Sequence, residues 1–138
     1  MSAVLVDANV LLDIIHHDAA WYDWSAAALL SAAQEGVLVI NPVIYAEVSI
    51  GLSSIELADQ AMPRTLYRRE AIPYEAAFLA GKVFEAYRRR GGTRAAPLPD
   101  FFIGAHAAIA RYGVLTRDPR RYRRDFPTLS LIAPPRSV

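Results

Sequence analysis

The sequence predicts an α/β fold, three layers α/β/α around a short, mainly parallel central sheet of four to five strands. Three observations carry this. Short apolar runs alternate along the chain with helical patterns, the order expected of parallel strands joined by helical crossovers. The runs are apolar throughout rather than at every second position, as strands covered on both faces are. The third is size: 138 residues, 54% hydrophobic with a mean hydropathy of +0.18, fit one domain over residues 1–138. A chain of this length buries roughly 68% of its unfolded surface in a single core, which excludes a disordered or low-complexity protein.

Ala3–Asp7 reads as the first strand, an apolar run closed by an acid. Asn9–His16 follows with Val10, Leu11, Ile14 and Ile15 at helical spacing. Asp18 is placed to cap a helix over 19–35 that turns Trp21, Trp24, Ala28, Leu29 and Ala32 inward, and Gly36 stops it. Val37–Ile40 is the second strand. Asn41-Pro42 opens a helix to about Gly51, with Pro at its first position. Ser54–Arg69 is helical by pattern, with Pro63 set to break or kink it. Glu70–Ile72 is a brief strand, Pro73–Arg90 a strong helix ended by Gly91-Gly92, and Thr93–Leu98 a loop. Pro99-Asp100 opens a helix that Gly113 closes at Tyr112. Val114–Thr116 is a strand, Asp118-Pro119 opens a short helix to about Arg124, and Leu129–Ile132 is the last strand.

Charge divides the chain. Residues 1–63 carry eight acids and neither Lys nor Arg, while residues 64–138 carry all fifteen basic residues, fourteen of them Arg, against six acids. A net −8 followed by a net +9 points to a polyanionic or charged protein partner, or to a solvated basic face. The absence of cysteine excludes disulfides, thiolate metal sites and cysteine nucleophiles. Residues 1–7 show no signal-peptide pattern. No run of 18 apolar residues offers a membrane span, so a cytoplasmic protein is expected.

In open parallel sheets the site lies beyond the carboxyl ends of the strands. Asp7 closes the first strand, Glu47 lies on the helix after the second, Asp100 starts the helix feeding Val114–Thr116, and Asp118 lies two residues past that strand. Each has a plain alternative: Asp7, Asp100 and Asp118 as helix caps, Glu47 as a surface helix residue. Converging together, four carboxylates need shifted pKa values or a cation, and all-oxygen ligands favour Mg²⁺ or Mn²⁺.

The segments Val-Leu-Val-Asp7-Ala-Asn9, Ala46-Glu47, Leu98-Pro99-Asp100-Phe-Phe-Ile-Gly-Ala-His106 and Leu115-Thr116-Arg117-Asp118 together resemble the PIN domain, and more narrowly the VapC-type ribonuclease toxins of toxin–antitoxin pairs. The resemblance covers almost the whole chain. It implies metal-dependent cleavage of RNA with Asp7, Glu47, Asp100 and Asp118 as catalytic metal ligands and Mg²⁺ or Mn²⁺ as cofactor. It implies Asn9 and Thr116 as the polar residues that hold the acids, a homodimer, and a cognate antitoxin that masks the site. An acidic first half with apolar helices suits an antitoxin helix followed by a basic tail.

Arg117, Arg120, Arg121, Arg123 and Arg124 surround Asp118, and of these Arg117 and Arg120 are the expected RNA contacts. Arg88–Arg90 and Arg94 flank the loop before Asp100 and either bind phosphate or complement a helix end. His106, six residues after Asp100, is rotated about 120° from it around the helix and is assigned a core or interface role. Tyr112 and Tyr122 either pack or stack on bases. A haloacid-dehalogenase-like phosphatase needs an acid where Asn9 stands. A phospho-receiver domain needs paired acids before its first strand ends. The remaining alternative is a non-enzymatic interaction module.

Overall fold

In the computed structural model, which describes residues 3–96 and 98–135, one five-stranded sheet organises the chain. The elements run β1 (Ala3–Val6), α1 (Ala8–Ile15), α2 (Tyr22–Glu35), β2 (Val37–Ile40), α3 (Pro42–Ser49), α4 (Ile55–Ala61), β3 (Tyr67–Arg69), α5 (Tyr74–Arg89), α6 (Pro99–Ala110), β4 (Gly113–Leu115), α7 (Arg120–Asp125) and β5 (Leu131–Ile132). Every pairing is parallel and the spatial order is β3-β2-β1-β4-β5. This is the predicted mainly parallel three-layer α/β/α architecture. The central strands are its core, with Leu5, Val6, Val39, Val114 and Leu115 fully buried.

The order explains where a site can form. From β1 the chain steps outward to β2 and β3, then crosses back to place β4 on the other side of β1. Right-handed crossovers in opposite directions send their helices to opposite faces. A crevice is left at the carboxyl ends where the direction reverses, between β1 and β4.

Local chemistry sets several boundaries differently from the sequence pattern. The expected helix Ser54–Arg69 shortens to α4, because Pro63 has no N–H to donate and pushes the preceding residue out of helical conformation; Met62 sits at φ −128°, ψ 65°. The chain released there forms β3 at Tyr67–Arg69, ahead of the expected Glu70–Ile72. Ser54 does cap, accepting from the Leu57 amide at 3.2 Å, and Asn41 caps α3 by accepting from Ile44 at 3.0 Å. Asp18 accepts from the amides of Ala20 and Trp21, both at 2.9 Å, so it ties a turn and α2 begins at Tyr22 rather than at residue 19. Arg111, at φ 61°, takes the left-handed position that ends α6. Gly113 instead opens β4, where a Cβ would lie 3.3 Å from the Ser130 carbonyl oxygen. The expected loop Thr93–Leu98 includes residue 97, outside the described residues.

Helix α7 docks through Phe126, whose ring fills the space a Cβ at Gly104 of α6 would occupy, at 2.5 Å. Only glycine there lets the α7 end pack so closely on α6, and that packing delivers Tyr122 to the sheet edge.

Candidate active site

The carboxyl edge of the sheet gathers all four sequence-selected acids. Asp7 follows β1 directly, with its amide donating to the Leu115 carbonyl of β4 at 2.9 Å. Glu47 projects from α3, Asp100 from the first turn of α6, and Asp118 from the segment between β4 and α7. None spends its carboxylate on a helix cap. Asp7 occupies the N-cap position of α1 without a side-chain capping bond, and Leu98 and Pro119, not Asp100 and Asp118, stand at the N-caps of α6 and α7.

A hydrogen-bond relay fixes Asp7. The Thr116 hydroxyl donates to Asp7 Oδ2 at 2.9 Å and accepts from Asn9 Nδ2 at 3.2 Å and the Asp118 amide at 3.1 Å. One donor and two acceptor sites are all a hydroxyl has, so Thr116 is fully used. Asn9 Oδ1 in turn accepts from the Arg117 amide at 3.2 Å. Asn9 and Thr116 therefore bind the Asp7 and Asp118 segments to each other across the β1–β4 switch.

Burial and mutual repulsion perturb the acids. Burial pushes the Asp7 carboxyl above its ordinary value, against the pull of the Thr116 and Tyr122 hydroxyls. Glu47 is pushed to about 7 by burial and by the charges of Asp7 and Asp100. Asp100 is pushed to about 6 by burial and by Asp7, with the Arg121 guanidinium opposing. Asp118 moves the other way, held below its usual range by its hydrogen bond to Arg120, with Nε to Oδ1 at 3.1 Å. The site thus has three carboxylates that resist ionising together and one at its rim that ionises readily. Glu47 Oε1 is buried with no hydrogen-bond partner. Among the described residues, no three His, Cys, Asp or Glu side chains are grouped closely enough to hold a metal ion.

Three residues stand beside the site in roles the sequence did not assign them. Tyr122 is fully buried and its hydroxyl donates to Asp7 Oδ2 at 3.0 Å, which removes it from base stacking. A signal was present: it is the one uncharged residue between Arg120 and Asp125, and so marks the inward face of α7. Arg121 brings Nε to 3.5 Å from Asp100 Oδ2 while packing over the rings of Phe101 and Tyr87. Asp125, its side chain wholly buried, pairs with Arg90 at 2.6 Å and adds to the negative field on Asp100. Of the expected RNA contacts, Arg120 is exposed at the rim, and Arg117 donates from Nε to Asp13 Oδ2 at 2.8 Å. Arg88 is turned to the Arg94 carbonyl. His106 is buried beside Asn41, with Nδ1 and Asn41 Nδ2 3.1 Å apart. Because Asn41 Oδ1 already accepts from Ile44, Nδ2 is the donor and Nδ1 accepts. This contact joins α6, which carries Asp100, to the cap of α3, which carries Glu47.

Tyr122→Phe tests the relay. Removing a buried hydroxyl bonded to a carboxylate should cost about 1.5–3 kcal/mol, read as a lower denaturation midpoint at unchanged slope. An unchanged midpoint would show that Asp7 does not depend on this donor.

The PIN domain family model matches residues 4–127. The chain belongs to the PIN-domain family. PIN domains are in general nucleases that use divalent metal ions. No curated protein sequence matches the chain significantly. Among solved structures, it is similar to a chain of VapBC2 from Rickettsia felis bound to a promoter DNA fragment, with TM-score 0.73 and 16% identity over 95% of this chain and 98% of that one. VapBC-1 from nontypeable Haemophilus influenzae gives TM-score 0.72 and 14% identity, over 95% and 97%. FitAcB from Neisseria gonorrhoeae gives 0.70 and 18%, over 94% and 96%. At these identities the likeness is one of fold. Within the PIN fold, the acids at the β1–β4 switch occupy the place where the topology opens a crevice.

Proposed function

We propose that this PIN domain is a divalent-metal-dependent endoribonuclease and the toxin of a toxin–antitoxin pair. The observation that carries the nuclease reading is the cluster of Asp7, Glu47 and Asp100, desolvated, mutually repelling and gathered at one sheet edge. Such an arrangement is costly for a fold to keep unless it binds a cation. The donors fit Mg²⁺ or Mn²⁺: all are carboxylate oxygens, and Glu47 Oε1 is buried without a partner. Asp7, Glu47, Asp100 and Asp118 would hold the metal, which supplies a nucleophilic water at neutral pH and a counter-charge for the phosphate.

The chain's own residues do the rest. Thr116 and Tyr122 both bind Oδ2 of Asp7, which fixes its rotamer. Asn9 and Thr116 hold the Asp118 segment in register with Asp7. Arg121 offsets part of the charge on Asp100.

The toxin role rests on the fold neighbours, which are chains from VapBC and FitAB assemblies and a toxin–antitoxin complex from Klebsiella pneumoniae. Apolar surface for a partner is present: Tyr74 and Phe78 on α5 and Ile50 and Ile55 around the α3–α4 turn are exposed. An antitoxin and a second copy of the chain would cover such groups. No helix among the described residues is long and apolar enough to cross a membrane, and a cytoplasmic RNA is the substrate that fits this reading.

That no three such side chains among the described residues are grouped to hold a metal ion favours one other reading, a non-enzymatic interaction module on the PIN fold. Incubating purified protein with single-stranded RNA decides between them. Cleavage should require Mn²⁺ or Mg²⁺ and stop with EDTA; intact RNA at every metal concentration would leave the interaction module.

A further inference from the structure

A cleft of about 710 Å³ opens beside Asp118, lined by Trp21, Arg117, Arg120, Arg123, Arg124 and Pro134 among others. Four guanidinium groups and an indole ring around one opening are the chemistry of a polynucleotide strand: cations for phosphates and a flat apolar face for a base.

One of those arginines is built in. Arg117 Nε donates to Asp13 Oδ2 at 2.8 Å, and its guanidinium carbon lies 5.6 Å from the Trp21 ring centroid. Asp13 is 2% exposed, and the same oxygen accepts from Ser25 Oγ at 2.8 Å. A buried carboxylate on α1, a buried hydroxyl on α2 and an indole thus fix a side chain that on an open surface would sample many rotamers. The terminal Nη atoms of Arg117 make no hydrogen bond among the described residues, and the side chain is one-third exposed at the cleft. With Nε tied and the plane set, the paired terminal amines match two oxygens of one phosphate, and the ordering entropy is already spent on folding.

We propose that this cleft binds a phosphate and base of single-stranded RNA flanking the scissile bond on the Asp118 side. Arg117 is the fixed phosphate ligand, Trp21 the stacking wall, and Asp13 the positioning residue that holds Arg117. Position supports the assignment: residues 117 and 118 are adjacent, and the Arg117 amide is bonded to Asn9 in the relay that orders Asp7. Base stacking needs an unpaired strand, since the faces of paired bases are covered within a duplex. The inference rests on the ribonuclease reading for the direction of the strand, and it deepens that reading by naming a substrate subsite.

The test uses full-length protein in EDTA and a labelled 2′-O-methyl RNA oligonucleotide, titrated by anisotropy across a salt series. Asp13→Asn/Arg117→Gln removes both members of the buried pair together, so neither charge is stranded. Its slope of log K against log salt should be shallower than wild type by ~0.7, the value for one single-strand phosphate contact. Asp13→Ala alone keeps the Arg117 charge but removes the oxygen that holds its side chain, so affinity should fall with the slope preserved. A purely structural Asp13 would not separate affinity from slope in this way. Trp21 gives a readout that leaves the pair untouched. In a Trp24→Phe background it is the only tryptophan, and its emission should be quenched on RNA binding. An unchanged slope in the double variant or unquenched Trp21 emission overturns the proposal. So does an acidic peptide that displaces the RNA while leaving Trp21 unquenched, since the cleft would then be a protein-docking surface. Failure of the nuclease reading is separable: it would appear as intact RNA at every metal concentration, whatever the binding slope.

Discussion

Asp7→Asn, Glu47→Gln and Asp100→Asn should each lose RNA cleavage by more than about 100-fold, because even the residues behind a metal ligand cost 10–100-fold when replaced. Each should melt, without metal, at or above the wild-type temperature. The two halves of that expectation come from one cause. Burial together with the neighbouring carboxylates pushes Glu47 to about 7 and Asp100 to about 6, so at neutral pH their charges oppose folding and the neutral amides relieve the opposition. A capping role predicts a different pattern, since Asn caps as well as Asp and both activity and stability would survive. In Asp7→Asn the new side-chain amide can still present an oxygen to the Thr116 and Tyr122 hydroxyls, so the site should not collapse. Asp118→Asn should affect stability least, since Asp118 is half exposed and paired with Arg120. Wild-type cleavage by Asp7→Asn protein of verified purity would remove the acids from the chemistry.

Metal and pH should trade places in stabilising the protein. A carboxyl raised from 4.5 to about 7, and another from 3.8 to about 6, bind more protons in the folded chain than in the unfolded one. Across that window stability falls as pH rises. Metal-free protein should therefore melt at a higher temperature near pH 5 than near pH 8. Below about 4 the trend reverses, as Asp59 and Asp118, both held below their usual range by arginine hydrogen bonds, lose those partners' support. Mn²⁺ at about 100 times its Kd should add about 2.7 kcal/mol near pH 8, a rise of roughly 9 °C in Tm for a chain this long. The increment should fade toward pH 5, where protons hold the same oxygens. Glu47→Gln should flatten both responses. Melting curves that ignore both pH and Mn²⁺ would show that the acids neither couple nor bind metal.

Helix α4 and strand β3 show how far pattern reading goes. The apolar spacing of Ser54–Arg69 is helical, and Pro63 was visible as a break. That the chain beyond it would join the sheet at Tyr67–Arg69 was not visible, because three residues carry no period. Their extended form comes from hydrogen bonds to β2, whose partner Ile40 lies 29 positions from Arg69. The end of α6 is similar: Gly113 was the expected stop, but Arg111 takes the left-handed turn, and Gly113 lies in β4 where the strand passes close to Ser130.

The site divides along the same line. Asp7, Glu47, Asp100 and Asp118 were legible in the sequence because each sits at a fixed offset from a strand or helix end, and element ends are local features. Asn9 and Thr116 share those offsets. The bond from Tyr122 to Asp7, the pairing of Arg121 with Asp100 and the place of Asp13 were not legible, because they depend on how one helix packs on another. Tyr122 reaches Asp7 across 115 positions and Arg117 reaches Asp13 across 104. Composition and the order of apolar runs determined a parallel sheet and the edge at which its acids must lie. Only tertiary packing decided which hydroxyls hold those acids, which arginine faces Asp100, and which arginine is fixed by a buried carboxylate. The orientation of a side chain about its own helix is set by the surface the helix docks against, and no local spacing encodes that surface.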